Sequence, residues 1–158
     1  MTNPVGYSPK VLEHFRNPHN FGSMVNPTSL GQVGNPACGD VMKLYLKIDK
    51  DKKGQDFIKD IKFETMGCAA AIATSSVVTD LAKGKTLTDA LKLDNKDVIQ
   101  ALEYLPDIKI HCSLLAIDAL NEAIYNYYQQ TNQPIDESLQ KKHDRITICQ
   151  NRLGHQHE

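Results

Sequence analysis

Hydrophobic positions along the chain recur with two different periods. Met42, Leu44, Leu46 and Ile48 alternate with Val41, Lys43, Tyr45 and Lys47, the spacing of a strand with one buried face. Ile61 and Phe63 alternate in the same way with Asp60, Lys62 and Glu64, so the charged turn from Asp49 to Gln55 predicts an antiparallel hairpin. Between Asn20 and Gly39 the density of glycine and proline leaves room for at most one short strand. Past Gly67 the period lengthens: Ala70, Ala73, Val77 and Leu81 share a helical face, and Gly84 stands where that helix would stop. A shorter face of Val11, Leu12 and Phe15 follows Ser8 and Pro9, an N-cap and a first-turn proline, and ends at Asn17-Pro18. Thr86 with Asp89 resembles a capping box for one further turn, and Asp94 or Asn95 caps a helix carrying Val98, Leu102 and Leu105 up to Pro106. From His111-Cys112 to about Gln130, Ala116, Leu120, Ala123 and Tyr127 keep helical spacing, and Pro134 is placed to open a last helix. The pattern predicts an α+β fold: a small antiparallel sheet of about three strands packed against several helices, with a long C-terminal helix. Residues 1–145 read as one domain, and residues 146–158, which show no clear periodicity, read as a disordered tail.

Composition narrows the chemistry. A chain of 158 residues, 41% hydrophobic, buries a sufficient core without a metal or disulfide, so any metal here would serve chemistry. Lys and Arg number 18 against 19 Asp and Glu, which removes the basic field of a nucleic-acid binder. No apolar run approaches the roughly 18 residues of a spanning helix, and Met1 to Ser8 lacks the apolar core of a secretory signal. The expected compartment is the cytoplasm, with neither nucleic acid nor membrane as a partner. In a reducing compartment the four cysteines, Cys38, Cys68, Cys112 and Cys149, read as ligands or nucleophiles rather than as a disulfide framework.

Three of them fall at backbone discontinuities. Cys38 lies in a Gly/Pro loop, Cys68 between a strand and a helix, and Cys112 at the opening of the long helix. A thiolate at a helix N-terminus is stabilised by the unpaired N–H groups and the dipole, which prepares it to bind metal or accept sulfur. A lone cysteine is more often a small buried hydrophobe, and three at element ends weaken that reading. The separations of 30 and 44 residues contain no C-x-x-C pair, so any common site must be assembled by the fold. Sulfur donors suit zinc or an iron-sulfur cluster, and His111 and Asp40 supply more donors than a closed tetrahedral site needs. Coordination through both His111 and Cys112, neighbours at a helix start, is strained, and exchange with Asp40 would make the site labile. Asp40 after Gly39 also reads simply as a turn residue.

These residues carry a resemblance. Tyr7-Ser8-Pro9-Lys10, Asn17-Pro18, Gly34-Asn35-Pro36-Ala37-Cys38-Gly39-Asp40, Gly67-Cys68-Ala69-Ala70-Ala71-Ile72-Ala73 and Leu105-Pro106-Asp107-Ile108-Lys109-Ile110-His111-Cys112 make the chain, from Tyr7 to about Gln130, similar to the IscU-type iron-sulfur cluster assembly scaffolds, the family of the NifU N-terminal domain. The resemblance implies an assembly site of Cys38, Asp40, Cys68, His111 and Cys112. It implies Cys112 as persulfide acceptor, Asp40 as the residue that keeps the site labile, and the other cysteines with His111 as holders of Fe2+ or, in its absence, Zn2+. The implied function is to build a [2Fe-2S] cluster and release it to apoproteins, as a carrier rather than a turnover enzyme. Implied partners are a cysteine desulfurase, an Hsp70-type chaperone with its J-type co-chaperone, an electron donor such as ferredoxin and the recipient apoproteins, with a homodimer as an open assembly state. The chaperone motif would be Leu105, Pro106, Asp107, Ile108 and Lys109. Asp107 stands where the family usually has a second proline, which removes preorganisation, adds charge and predicts an altered chaperone grip.

Two other classes compete. A zinc-dependent sulfurtransferase of the SufU type would use the metal only to tune thiol exchange, but such proteins typically carry an insertion between the second and third cysteines and lack a histidine where this chain has His111. A structural zinc domain is disfavoured by the size of the metal-independent core. His14 and His19 read as surface histidines, and Lys43, Lys47, Lys59 and Lys62 as the solvated face of the sheet. Cys149, His143, His155 and His157 belong to no motif and are left outside the site.

Overall fold

The computed structural model describes residues 7–35, 40–107 and 110–156. Their order is α1 (Pro9–Arg16), β1 (Ser29–Asn35), β2 (Asp40–Lys50), β3 (Asp56–Thr65), α2 (Ala69–Ala82), α3 (Leu87–Ala90), α4 (Asn95–Ala101), α5 (Ile110–Gln130) and α6 (Glu137–Gln156). The strands form one antiparallel sheet in the order β1-β2-β3, the predicted α+β architecture.

Alternation decides which face of the sheet is covered. Met42, Leu44 and Leu46 of β2 meet Phe63 and Ile61 of β3 in a fully buried layer, while Lys43, Lys47 and Lys59 stay exposed on the other side. A bulge at Lys47/Ile48 shifts the register, and Ile58 rather than an alternate neighbour of Ile61 takes the next buried position. Helices α2 and α5 cover the apolar face. Helix α2 is buried nearly all round, so its hydroxyls bond inward: Ser75 to the Ala71 carbonyl at 2.6 Å and Thr79 to the Ser76 carbonyl at 2.6 Å. Helix α5 lies against β1 so closely that a Cβ on Gly31 would stand 2.2 Å from the Ala119 carbonyl oxygen.

Local signals set the helix starts. Ser8 accepts from the Val11 N–H, Thr86 from the Asp89 N–H, and Asp94 and Asp97 complete a reciprocal capping box. Two boundaries differ from expectation. Helix α4 ends at Ala101 rather than near Leu105, because Glu103 adopts a left-handed φ of 71°. The last helix begins at Glu137 rather than beside Pro134, because Asp136 caps the Leu139 N–H at 2.7 Å.

Helix α6 then continues through Gln156, where the pattern predicted a disordered tail from residue 146. Among its described side chains the buried apolar anchors are few, Leu139 and Ile146. The helix is held instead by polar ties to α5 that leave no trace in periodicity. His143 stacks on Tyr125 with ring centroids 3.7 Å apart and meets Glu122 at 2.7 Å, and Arg145 donates to Asp118 at 2.8 Å.

Candidate metal centre

Two helix N-termini converge at one end of the sheet. Cys68 is the N-cap of α2, in extended conformation, and its side chain does not cap the helix. Cys112 lies in the first turn of α5. The two sulfurs are 3.7 Å apart, with Cys68 half-buried and Cys112 fully buried. A disulfide needs about 2.05 Å, so the pair is not covalently joined. Two thiolates on one tetrahedral zinc or iron ion, each about 2.3 Å from the metal, stand about 3.8 Å apart. The spacing therefore suits shared coordination without rearrangement. The Thr74 hydroxyl fixes this geometry by reaching the Ala71 carbonyl at 3.1 Å and the Cys112 carbonyl at 3.3 Å, which ties α2 to α5 one turn inside the pair.

Charge favours thiolates here. Both thiols stand at helix N-termini, where the positive end of a dipole favours an anion, while burial penalises an uncompensated one. A bound cation would relieve that penalty.

The other expected ligands are placed to different degrees. Asp40 opens β2 opposite Asn35 in register, at the end of the sheet where β3 leads out to Cys68. His111 lies in the first turn of α5, adjacent to Cys112. Cys38, and Ile108 and Lys109 of the expected chaperone motif, lie outside the described residues. Of that motif, Leu105 is a core residue and Asp107 is exposed. Met66, two residues before Cys68, is almost fully exposed and lines a shallow groove with Phe21, Val41, Lys43, Glu64 and Thr65.

A second cluster of donors lies at the opposite end of α2. His14, His19 and Asp80 each offer one ligand atom within 4.8 Å of the other two. These histidines read as isolated surface residues in the sequence. Asp80, which joins them, lies about sixty residues further along the chain, so no local spacing announces the group.

The match to known proteins follows the same elements. Residues 6–134 match the NifU-like N terminal domain, and the chain belongs to that family. It is 52% identical over 131 residues, 83% of this chain and 82% of the relative, to the iron-sulfur cluster assembly scaffold protein IscU 1 of Archaeoglobus fulgidus. To the iron-sulfur cluster assembly scaffold protein IscU of Escherichia coli it is 48% identical over 126 residues, 78% of this chain and 94% of that one. Among solved structures it resembles a putative iron-sulfur cluster assembly scaffold protein for the SUF system from Fervidobacterium islandicum, with a TM-score of 0.60, 26% identity and coverage of 75% and 96%. The family match ends before α6 begins. Among the described residues no helix is long and apolar enough to cross a membrane.

Proposed function

We propose that this chain is a scaffold on which a [2Fe-2S] cluster is assembled from iron and desulfurase-derived sulfur and from which it passes to apoproteins. The observation that carries the reading is the Cys68–Cys112 pair, two sulfurs 3.7 Å apart at converging helix N-termini. Cys38, Asp40 and His111 are proposed as the further donors, with Asp40 keeping the cluster exchangeable. Zinc at the same donors would be a resting state. As a carrier the protein returns unchanged once its cargo has left.

Sulfur arrives by thiol exchange. The Cys112 thiolate attacks the outer sulfur of a persulfide on a cysteine desulfurase, a new S–S bond forms on Cys112, and the desulfurase thiolate departs. No net oxidation occurs in that step. Reduction of the carried sulfur to sulfide then takes two electrons, supplied by a donor such as ferredoxin, and frees the Cys112 thiolate for iron. The buried position of Cys112 requires the desulfurase to open or press on this end of the molecule. The exposed Met66, two residues before Cys68, together with Phe21 and Val41 of the same groove offers a partly apolar landing surface. Cluster release through an Hsp70-type chaperone and its J-type partner at Leu105, Pro106, Asp107, Ile108 and Lys109 would draw Leu105 out of the core, which couples chaperone grip to loosening of the start of α5. A cytoplasmic setting, where thiols stay reduced, suits this chemistry.

The likeness to a SUF-system protein favours one alternative, a zinc-dependent sulfur carrier that builds no cluster. Anaerobic incubation with Fe2+, cysteine and a cysteine desulfurase separates the two. Wild type is expected to develop cluster absorption and a [2Fe-2S] Mössbauer signature, and Cys112→Ser to develop neither. A wild type that accepts persulfide sulfur yet never acquires a cluster overturns the scaffold reading and leaves the alternative. Asp40→Ala should retain its cluster longer than wild type, and faster loss would remove the lability role from Asp40.

A further inference from the structure

We propose that His14, His19 and Asp80 form a second, thiol-free binding site for a divalent transition-metal ion of the Fe2+ or Zn2+ class. The proposal does not depend on the scaffold reading. The site lies where the end of α1 and the turn after it cross the last turn of α2. Cys68 and Asp80 are separated by twelve residues of α2, or about 18 Å along the helix at ~1.5 Å per residue. No ion can be shared between the two ends.

The donor set fits the ion. Two imidazoles and one carboxylate are borderline ligands that suit Zn2+, Fe2+ and Co2+ and leave the remaining coordination positions to solvent or an incoming group. Donors about 2.0–2.2 Å from one ion stand roughly 3–4 Å apart. The present spread, within 4.8 Å, brackets that range: the His19–Asp80 pair opens slightly and the more distant donors close on the ion. His19 Nδ1 now lies 2.5 Å from Asp80 Oδ2, where a proton holds the place a cation would take.

The surroundings are arranged as an outer shell. The Ser76 hydroxyl lies 2.8 Å from His14 Nδ1 and also accepts the His19 backbone N–H at 2.8 Å, so one side chain positions both histidines. When His14 donates its Nδ1–H to that hydroxyl, Nε2 keeps its lone pair for the metal. Asn20 donates to Asp80 Oδ1 at 3.3 Å and to the Thr79 hydroxyl at 3.0 Å, which leaves Asp80 Oδ2 for the ion. Asn20 is itself held in left-handed conformation, φ 60°, with its carbonyl accepting the Phe63 N–H of β3 at 3.0 Å. The three ligands thus stand on a frame built from α1, α2 and the sheet.

The test is an anaerobic Co2+ titration of the full-length apoprotein. Wild type is expected to take up one equivalent with thiolate-to-cobalt charge-transfer absorption and another with weak ligand-field absorption only. Asp80→Asn and His19→Arg should abolish the second and leave the first unchanged. Arginine can keep an ion pair with Asp80 but cannot ligate, so an unchanged melting temperature in His19→Arg shows that the α1–α2 seam survives. In wild type, Zn2+ should shift the ring resonances of both His14 and His19. Thiol-free binding that persists in both variants, or ring resonances that ignore Zn2+, overturns the proposal. Loss of the charge-transfer equivalent alone overturns only the scaffold reading.

Discussion

The two ends of α2 carry different chemistry on one rigid element. At its N-terminus Cys68 meets the buried Cys112 in a soft, sulfur-only pair. At its C-terminal end Asp80 meets His14 and His19 in a harder nitrogen and oxygen set with about half of the His19 and Asp80 side chains exposed. Softness selects the metal, and burial controls how fast it exchanges. A thiol pair with one sulfur fully buried suits an ion held back from water, whereas a half-exposed imidazole and carboxylate set suits an ion that comes and goes. The same helix also separates them too far for one to substitute for the other.

The sharpest way to break this comparison is Cys112→Ser. It should weaken Co2+ binding at the thiol end by more than about 100-fold, while the thiol-free equivalent stays within about 2-fold. Equal losses at both ends would show one coupled site rather than two.

Gly31→Ala is the next largest. The added methyl meets the Ala119 carbonyl oxygen and the Ala123 nitrogen, backbone atoms that cannot swing aside. Urea denaturation should show a loss of about 2–3 kcal/mol. Because the strain falls on α5 and hence on Cys112, the thiolate charge-transfer band should shift while the histidine resonances at the far end do not.

Ser76→Ala acts on the other end. It removes the hydroxyl shared by His14 and the His19 N–H, and should lower stability by about 1–2 kcal/mol and thiol-free Co2+ affinity by about 10-fold. The thiol band should be unmoved.

The smallest expected effect belongs to the α5–α6 seam, which neither end touches. Burial raises the Asp118 carboxyl above its ordinary value against the pull of Arg145, and burial likewise raises Glu122 against His143. A raised carboxyl holds its proton more tightly in the folded chain. Its contribution is therefore full below the unfolded value and is lost as pH rises through the folded one. Thermal melts of Asp118→Asn with Glu122→Gln should match wild type below about pH 4 and exceed it increasingly toward neutrality, by less than about 1 kcal/mol. A gain at low pH instead would reverse the assigned sign.

How legible each region is in the sequence follows from the range of the interactions that make it. The β2–β3 hairpin and the caps at Ser8, Thr86 and Asp94 rest on neighbours a few residues apart, and alternation or cap chemistry displays them directly. The placement of Cys68 and Cys112 at helix starts is equally local. Their 3.7 Å approach is not, since it depends on how α2 and α5 cross; donor chemistry and family resemblance pointed to a common site but neither gave its geometry. The histidine and aspartate group was missed because its members are joined across about sixty residues. The part of helix α6 beyond residue 145 was missed because Leu139, Ile146 and Leu153 recur only once in two turns, while Glu122, Asp118 and Tyr125, which hold the helix, lie on another one.

The backbone contact at Gly31 also orders events in time. Strand β1 is seated by α5: the Ser29 hydroxyl donates to the Ala123 carbonyl and Asn126 donates to the Leu30 carbonyl, partners 94 and 96 residues apart. The hairpin and α2 close over far shorter loops, which form sooner. On a ribosome, β1 can pair with β2 early but must wait until most of the chain has emerged before it can dock on α5. Strand β1, among the first elements made, is thus seated on its helix only after Cys112 has been translated.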